Sequence, residues 1–224
     1  MKNYQKQTYK NREEWLSARG IGGSEAAAIV GESKWLTADD IYNRLVYGKE
    51  PNIEENEKML QGIAAEPHIR ALWAIDHQDC EVVEPPKRGA WLFRRKDYPL
   101  LTCTPDGLFK KNGELYGLEI KNVDLISGSI KDIWENGILP PQYYYQVLHY
   151  MVVINDLKGV CLTAHLRYYK KEDDKWAFDY AKDVSFWIYR DIALEQINYL
   201  EQHEIDFITN NVNKKRRPKL LIRL

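Results

Sequence analysis

From Ser24 onward the chain moves between two spacings of apolar residues, and the change marks where helices give way to strands. Glu25-Ala26-Ala27-Ala28-Ile29-Val30 follows a glycine-rich turn; the alanine run favours helix, with Ser24 placed to cap it. Thr37 to Tyr47 reads as a second helix, capped by Thr37, with Asp39 and Asp40 in the first turn where the helix dipole favours acids. Met59, Ile63, Ile69, Leu72 and Trp73 recur near helical spacing, which predicts a third helix from about Asn56 to Asp76. Pro67 inside it predicts a kink or the meeting of two helices.

The middle of the chain changes character. Cys80–Val83, Leu92–Phe93, Leu100–Thr104 and Leu115–Val123 are short, apolar or alternating, and bounded by Pro, Gly or charged turns, as strands are. Lys111-Asn112-Gly113 is a hairpin turn between Leu108-Phe109 and Leu115-Tyr116. A helix is expected from Pro141 to about Asn155, strands over Gly159–Tyr169 and Trp176–Ala181, and a long C-terminal helix from Val184 to Asn210. Helices before and after a mixed sheet make the fold class α/β or α+β. No internal repeat or Gly/Ser linker divides the chain, so residues 1–224 are expected to form a single domain.

Composition narrows the picture by exclusion. Of the 224 residues 44% are hydrophobic, enough for a sizeable core, and no apolar run approaches the roughly 20 residues of a membrane-spanning helix. Met1 to Gln7 lacks the apolar stretch of a signal peptide, so a cytoplasmic protein with no membrane partner is expected. Cys80, Cys103 and Cys161 lie far apart without a C-x-x-C pair, which argues against a zinc knuckle, an iron–sulfur cluster or a disulfide scaffold. Residues 214–224 hold Lys214, Lys215, Arg216, Arg217, Lys219 and Arg223 and no acid. The formal net charge of -1 therefore splits into +6 there and -7 elsewhere. A basic tail on an acidic body suits a nucleic-acid contact; a solvated terminus reads the same residues equally well.

The segment with the most chemistry is Thr104-Pro105-Asp106-Gly107 followed by Leu118-Glu119-Ile120-Lys121. Glu119 and Lys121 are two apart on one strand and share a face. If the strands pair around the Lys111–Gly113 turn, Asp106 comes close to Glu119, and two carboxylates and an ammonium meet. Carboxylates held together repel and raise each other's pKa unless a cation sits between them. Mg²⁺, which prefers oxygen ligands and keeps several waters, is a natural solution, and Lys121 could orient such a water or take its proton. A surface Glu/Lys pair after an Asp-Gly turn is the plainer alternative. On the helix from Pro141, Gln146 and Tyr150 share a face at i, i+4.

These residues resemble a known family. Pro105-Asp106 followed by Glu119-Ile120-Lys121 is similar to the signature of the PD-(D/E)xK nuclease superfamily. Arg19-Gly20-Ile21-Gly22-Gly23-Ser24, Gln61-Gly62-Ile63-Ala64-Ala65-Glu66-Pro67 and Tyr143-Tyr144-Tyr145-Gln146-Val147-Leu148-His149-Tyr150 resemble three further motifs of the YqaJ-like viral recombinases, the lambda-exonuclease group, and arrive in family order over residues 19–150. The resemblance implies a restriction-endonuclease-like core, a central mixed β-sheet flanked by helices, over about residues 19–181, with the C-terminal helix and basic tail at 184–224. It implies an Mg²⁺-dependent 5′→3′ exodeoxyribonuclease acting on linear double-stranded DNA ends, with Mn²⁺ able to substitute, leaving 3′ overhangs for recombination by strand annealing. It further implies a homotrimer, a single-strand annealing recombinase as partner, and the cytoplasm of a bacterial host as location. By the same resemblance Asp106, Glu119, the Ile120 carbonyl and Glu66 would hold metal, Lys121 would position or activate water, Gln146 and Tyr150 would line the same wall, and Arg19 and Ser24 would bind the 5′-phosphate. Asn122-Val123-Asp124 stands where the family often places a small residue and proline, and Lys34-Trp35-Leu36 replaces a usually proline-containing segment. An endonuclease of restriction or repair type, or a DNA-end-binding protein that no longer cuts, would share much of this pattern.

Among the remaining residues, His149 is expected to face solvent, and His68 has no partner at metal spacing. Trp35, Trp73, Trp91 and Trp134 are expected mostly in the core, with one or two free to stack on a base. Lys87-Arg88 and Arg94-Arg95-Lys96 are candidate phosphate contacts on loops.

Overall fold

The computed structural model describes residues 2–51, 57–86, 90–126, 128–173 and 175–219. Its frame is a five-stranded sheet in the order β2-β5-β6-β7-β8, formed by Cys80–Val83, Gly107–Lys111, Glu114–Leu125, Leu157–Glu172 and Lys175–Tyr189. β6 and β7 are parallel and every other neighbour is antiparallel, so the sheet is mixed. The antiparallel β5–β6 pair closes through a two-residue turn with Asn112 at φ 54° and Gly113 at φ 80°. Both residues tolerate the left-handed backbone that this turn demands, and the turn's position fixes the register of Glu119. A smaller antiparallel sheet joins β1 (Tyr4–Tyr9), β3 (Ala90–Arg95) and β4 (Thr102–Cys103).

Helices cover both faces of the large sheet. Alternation along β6 sends Leu118 and Ile120 toward α4 (Glu57–Asp76), where they are buried with Ile69, Trp73, Phe109 and Cys161. Glu119 and Lys121 point the other way, toward α6 (Pro141–Val153), whose residues from Gln146 to Val153 are all buried. The main core lies on that side, under α6, α2 (Gly23–Ile29), α3 (Ala38–Tyr47) and α7 (Leu194–Asp206). The parallel connection from β6 to β7 runs through α5 (Gly128–Glu135) and α6, as a parallel pair requires.

Several expectations need correction. α4 is one uninterrupted helix through Pro67, and Met59, Ile63 and Leu72 are exposed; only Ile69, Arg70 and Trp73 are buried there. Residues 184–189 belong to β8, because Val184, Phe186 and Ile188 alternate onto the core. The C-terminal helix starts at Leu194 and ends in a wider π-helical turn, Phe207–Val212. The N-cap of α2 is Gly22, with the Glu25 carboxylate folded back onto its N–H at 2.8 Å, while Ser24 lies inside the helix. β1, α1 (Arg12–Ala18) and α5 were not anticipated. The expected start of α4 at Asn56 lies outside the described residues.

Candidate active site

The wall of the site is built by β6 and α6. The Glu119 carboxylate, 1% exposed, accepts from Lys121 Nζ at 2.6 Å and Gln146 Nε2 at 2.5 Å on Oε1, and from the Tyr150 hydroxyl at 2.7 Å on Oε2. Lys121 also donates to Gln146 Oε1 at 3.1 Å and lies 4.8 Å from the centre of the Tyr143 ring. Gln146 Nε2 reaches the Tyr150 oxygen at 2.8 Å. A buried carboxylate must be paired and hydrogen-bonded to remain charged, and this one has three donors.

Asp106 stands immediately before β5, and its Oδ2 accepts the Ile120 N–H at 2.7 Å, which ties it to the strand of Glu119. Burial, with Glu119 and then Glu66 beside it, pushes the Asp106 carboxyl well above the usual range. Glu66, on α4, is also raised by burial and by Glu119, although Arg70 opposes this. Burial works against the Lys121 ammonium, but Glu119 and Asp106 outweigh it and hold its pKa above the ordinary lysine value. The sequence pattern alone did not single out Arg70, which is buried one turn from Glu66. It donates to Glu66 Oε1 at 2.7 Å and to the Asp106 carbonyl at 2.8 Å, so one guanidinium positions two acids. The i, i+4 spacing of Glu66 and Arg70 was the available signal.

Among the described residues no three His, Cys, Asp or Glu side chains form a group that could enclose a metal ion. The donor set nevertheless fits a hard, water-rich cation such as Mg²⁺, which takes one or two carboxylates rather than a full protein cage. Three donors use about three of the four acceptor directions of Glu119. Asp106 and Glu66 together line a cavity of about 490 Å³, and burial, with neighbouring acids adding to it, raises both carboxyls.

A second cavity, about 130 Å³, adjoins the wall and is lined by Arg19, Gly23, Ser24, Gln146 and Tyr150; Trp15 and Thr104 line both cavities. Trp15 Nε1 donates to Thr104 Oγ1 at 3.2 Å. Arg19 Nη2 donates to Ser24 Oγ at 3.1 Å and lies 3.2 Å from Glu25 Oε2. The other Glu25 oxygen holds Arg44 at 2.8 Å, and Arg44 also bonds the Gly20 carbonyl at 2.9 Å. Glu25 and Arg44 were not singled out from sequence, because Arg44 lies 19 residues from its partner. The glycines of this turn serve packing: a Cβ at Gly20 would meet the Leu100 oxygen at 2.1 Å, and one at Gly23 would meet the Tyr150 ring at 2.7 Å. Gly23 thus lets α2 approach α6 and brings the Arg19 cavity onto the wall that holds Glu119.

The other candidates fall outside the site. His149 is fully buried, contrary to expectation, between Glu204 Oε1 at 2.6 Å and the Thr102 carbonyl at 2.9 Å. Asp124 faces away from Glu119 and is bound by the Tyr169 hydroxyl and Arg167. Arg95 is buried, paired with Asp97 and Glu201, and so is no loop phosphate contact; Arg94 bonds the carbonyls of Ala18 and Pro99. His68 is exposed, as is Trp35, whereas Trp73, Trp91 and Trp134 are core. Lys87-Arg88 lies outside the described residues.

A mixed sheet flanked by helices, with the Asp106, Glu119 and Lys121 pattern at its centre, defines the PD-(D/E)xK class of fold. Within that class the chain belongs to the YqaJ-like viral recombinase domain family, which matches residues 14–157. It is 28% identical over 158 residues to the uncharacterized protein YqaJ of Bacillus subtilis (strain 168), and spans 44% of that protein's length and 66% of its own. It resembles the crystal structure of an alkaline exonuclease (LHK-Exo) from Laribacter hongkongensis, with TM-score 0.64 and 20% identity, covering 91% of this chain and 94% of that one. It also resembles a phage related exonuclease from Haemophilus somnus 129PT, with TM-score 0.57 and 14% identity, covering 91% of this chain and all of the other. At these identities the two structures establish the fold.

Proposed function

We propose that this chain is an Mg²⁺-dependent 5′→3′ exodeoxyribonuclease acting on linear double-stranded DNA ends, in which Mn²⁺ can substitute. The observation that carries the reading is the adjacency of two cavities: one bordered by Asp106 and Glu66, with Arg12 on its wall, the other by Arg19 and Ser24, with Gln146 and Tyr150 between the latter and Glu119. The names of the structural relatives agree with it. Both are exonucleases, and LHK-Exo has been crystallised in complex with dAMP.

Asp106, Glu119, the Ile120 carbonyl and Glu66 are the groups that would hold the cation, which supplies polarisation of the scissile phosphate and a more acidic water. Lys121, kept as an ammonium by its acidic neighbours, donates hydrogen bonds toward developing negative charge on the phosphate. Gln146 fixes both Lys121 and Glu119, and the Tyr150 hydroxyl holds the second Glu119 oxygen, so the acid cannot turn away. Arg19 and Ser24 take the 5′-phosphate and set the scissile bond beside the acids. A homotrimer around the duplex and a single-strand annealing recombinase as partner complete the proposal on family grounds.

Digestion of linear duplex DNA bearing 5′-phosphate or 5′-hydroxyl ends, with and without Mg²⁺, tests it against closed circles. Metal-dependent loss of linear DNA, faster with the phosphate, is expected. Efficient cutting of covalently closed circles would move the reading to an endonuclease, and DNA-end binding without any metal-dependent cutting would move it to a non-catalytic protein.

A further inference from the structure

The basic C-terminal segment, which takes no part in the site above, is folded back onto α3. After the π-helical turn the backbone reverses at Lys215, whose φ of 50° is left-handed, with Lys215 N–H on the Val212 carbonyl at 3.1 Å and Arg216 N–H on the Asn211 carbonyl at 2.9 Å. The reversal carries Arg217 to α3. There its Nε and Nη2 pair with both oxygens of Asp39 at 2.6 and 2.8 Å. Between the two elements lies a cavity of about 360 Å³ lined by Tyr42, Asn43, Tyr47, Lys49, Lys215 and Arg217.

The chemistry of this lining is one-sided. It holds three cations, two phenols and an amide, and no carboxylate, since Asp39 lies outside it. Among the described residues no ion pair engages Lys49 or Lys215, and the Arg217–Asp39 pair leaves the Nη1 group out of its hydrogen bonds. Lys214, Arg216 and Lys219 lie on the same exposed segment. The tyrosine rings stand edge to face, 5.8 Å apart, and Tyr42 is buried, which gives the cavity a fixed floor. α3 also joins this cavity to the end-binding pocket, because Arg44, between Asn43 and Tyr47, bonds Glu25 and the Gly20 carbonyl.

We propose that the cavity between α3 and the C-terminal segment is a second phosphate site, which grips the backbone of duplex DNA away from the end held by Arg19. This rests on the reading of the chain as acting on DNA. The contact is to phosphate, so it adds affinity without sequence preference and without regard to the terminal group.

The test is binding of the full chain to duplex DNA by fluorescence anisotropy without divalent cation, over a range of salt, comparing the unsubstituted protein with Lys49→Ala/Lys215→Ala. Removing one phosphate-binding cation should make the slope of log affinity against log salt shallower by about 0.9, so the double substitution should reduce it by about 1.8, equally for 5′-phosphate and 5′-hydroxyl ends. A deoxymononucleotide, dAMP, forms a parallel arm. Unchanged duplex affinity and slope would overturn the proposal, as would a loss confined to dAMP or to phosphorylated ends. Because the readout needs no metal and no cleavage, a protein that binds in this way yet never cuts would sink the nuclease reading alone.

Discussion

The two cavities of the site are built on mirrored charge. In the acidic one, Asp106, Glu66 and Glu119 stand among three cations, Arg12 on the cavity wall and Arg70 and Lys121 beside the carboxylates. In the basic one, Arg19 and Arg44 stand on either side of a resident acid, Glu25. Each pocket thus holds, before any ligand arrives, a countercharge that fixes its own side chains. The difference lies in which groups are perturbed. In the first it is the carboxyls: burial above all, and neighbouring acids after it, raise Asp106 and Glu66. Two arginines against one acid leave the second pocket short of negative charge. On the proposed reading a cation belongs in the first and a phosphate in the second.

The comparison is broken most completely by removing an acid. Glu119→Ala deletes the acceptor of Lys121, Gln146 and Tyr150 at once and is expected to abolish metal-dependent degradation, while the Arg19 pocket keeps its affinity for phosphorylated ends. A gel assay paired with end-binding anisotropy checks both halves, and near wild-type cutting would remove Glu119 from the site. Lys121→Ala should slow hydrolysis by a factor on the order of 10² or more, the usual cost of losing one positioned donor to developing negative charge, with metal binding largely kept. Calorimetry showing metal affinity collapsed in this variant would make Lys121 structural.

Arg19→Ala sharpens the contrast from the other side. A terminal phosphate carries up to two charges where an internal diester carries one, and charge-assisted hydrogen bonds are worth about 1.5–3 kcal/mol each. The advantage of 5′-phosphorylated over 5′-hydroxyl DNA should shrink by roughly ten- to a hundredfold. Digestion rates equally sensitive to the phosphate with and without Arg19 would contradict the assignment.

The smallest effect concerns α6 itself, which His149 ties to α7 through Glu204. Burial opposes a charge on His149, but Glu204 and the Thr102 carbonyl outweigh it, and the folded pKa is raised. The resulting stability is fully present below the unfolded value of about 6.5 and is lost as pH rises through the folded value. In denaturant titrations the advantage of the wild type over His149→Gln should therefore diminish as pH rises above about 6.5. An advantage that grows with pH would reverse the sign of the account.

How much of this was legible beforehand follows from sequence distance. Glu119 and Lys121 at i, i+2, Gln146 and Tyr150 at i, i+4, and the Asn112-Gly113 turn are local patterns, and they placed the wall correctly. Thr37 capping α3 was equally local. Interactions closed by the tertiary fold were not readable: Arg44 on Glu25, Arg70 on the Asp106 backbone, and Glu204 on His149 across 55 residues. His149 shows the cost, because a histidine on a helix looks solvent-facing until its buried partner is known. β8 failed differently. Val184, Phe186 and Ile188 alternate as a strand should, but the helical stretch that follows drew the boundary ten residues too early.

The central claim is that Asp106 is a carboxyl under pressure that a divalent cation relieves. Isothermal titration of Mg²⁺ into the wild type and Asp106→Asn, with single-turnover digestion of 5′-phosphorylated duplex on the same samples, addresses it directly. The side chain keeps its shape and an oxygen to accept the Ile120 N–H, while the charge is lost and the other oxygen becomes an amide donor. The account predicts that metal binding and hydrolysis are lost together in the variant. Hydrolysis at near wild-type rate by Asp106→Asn would contradict it.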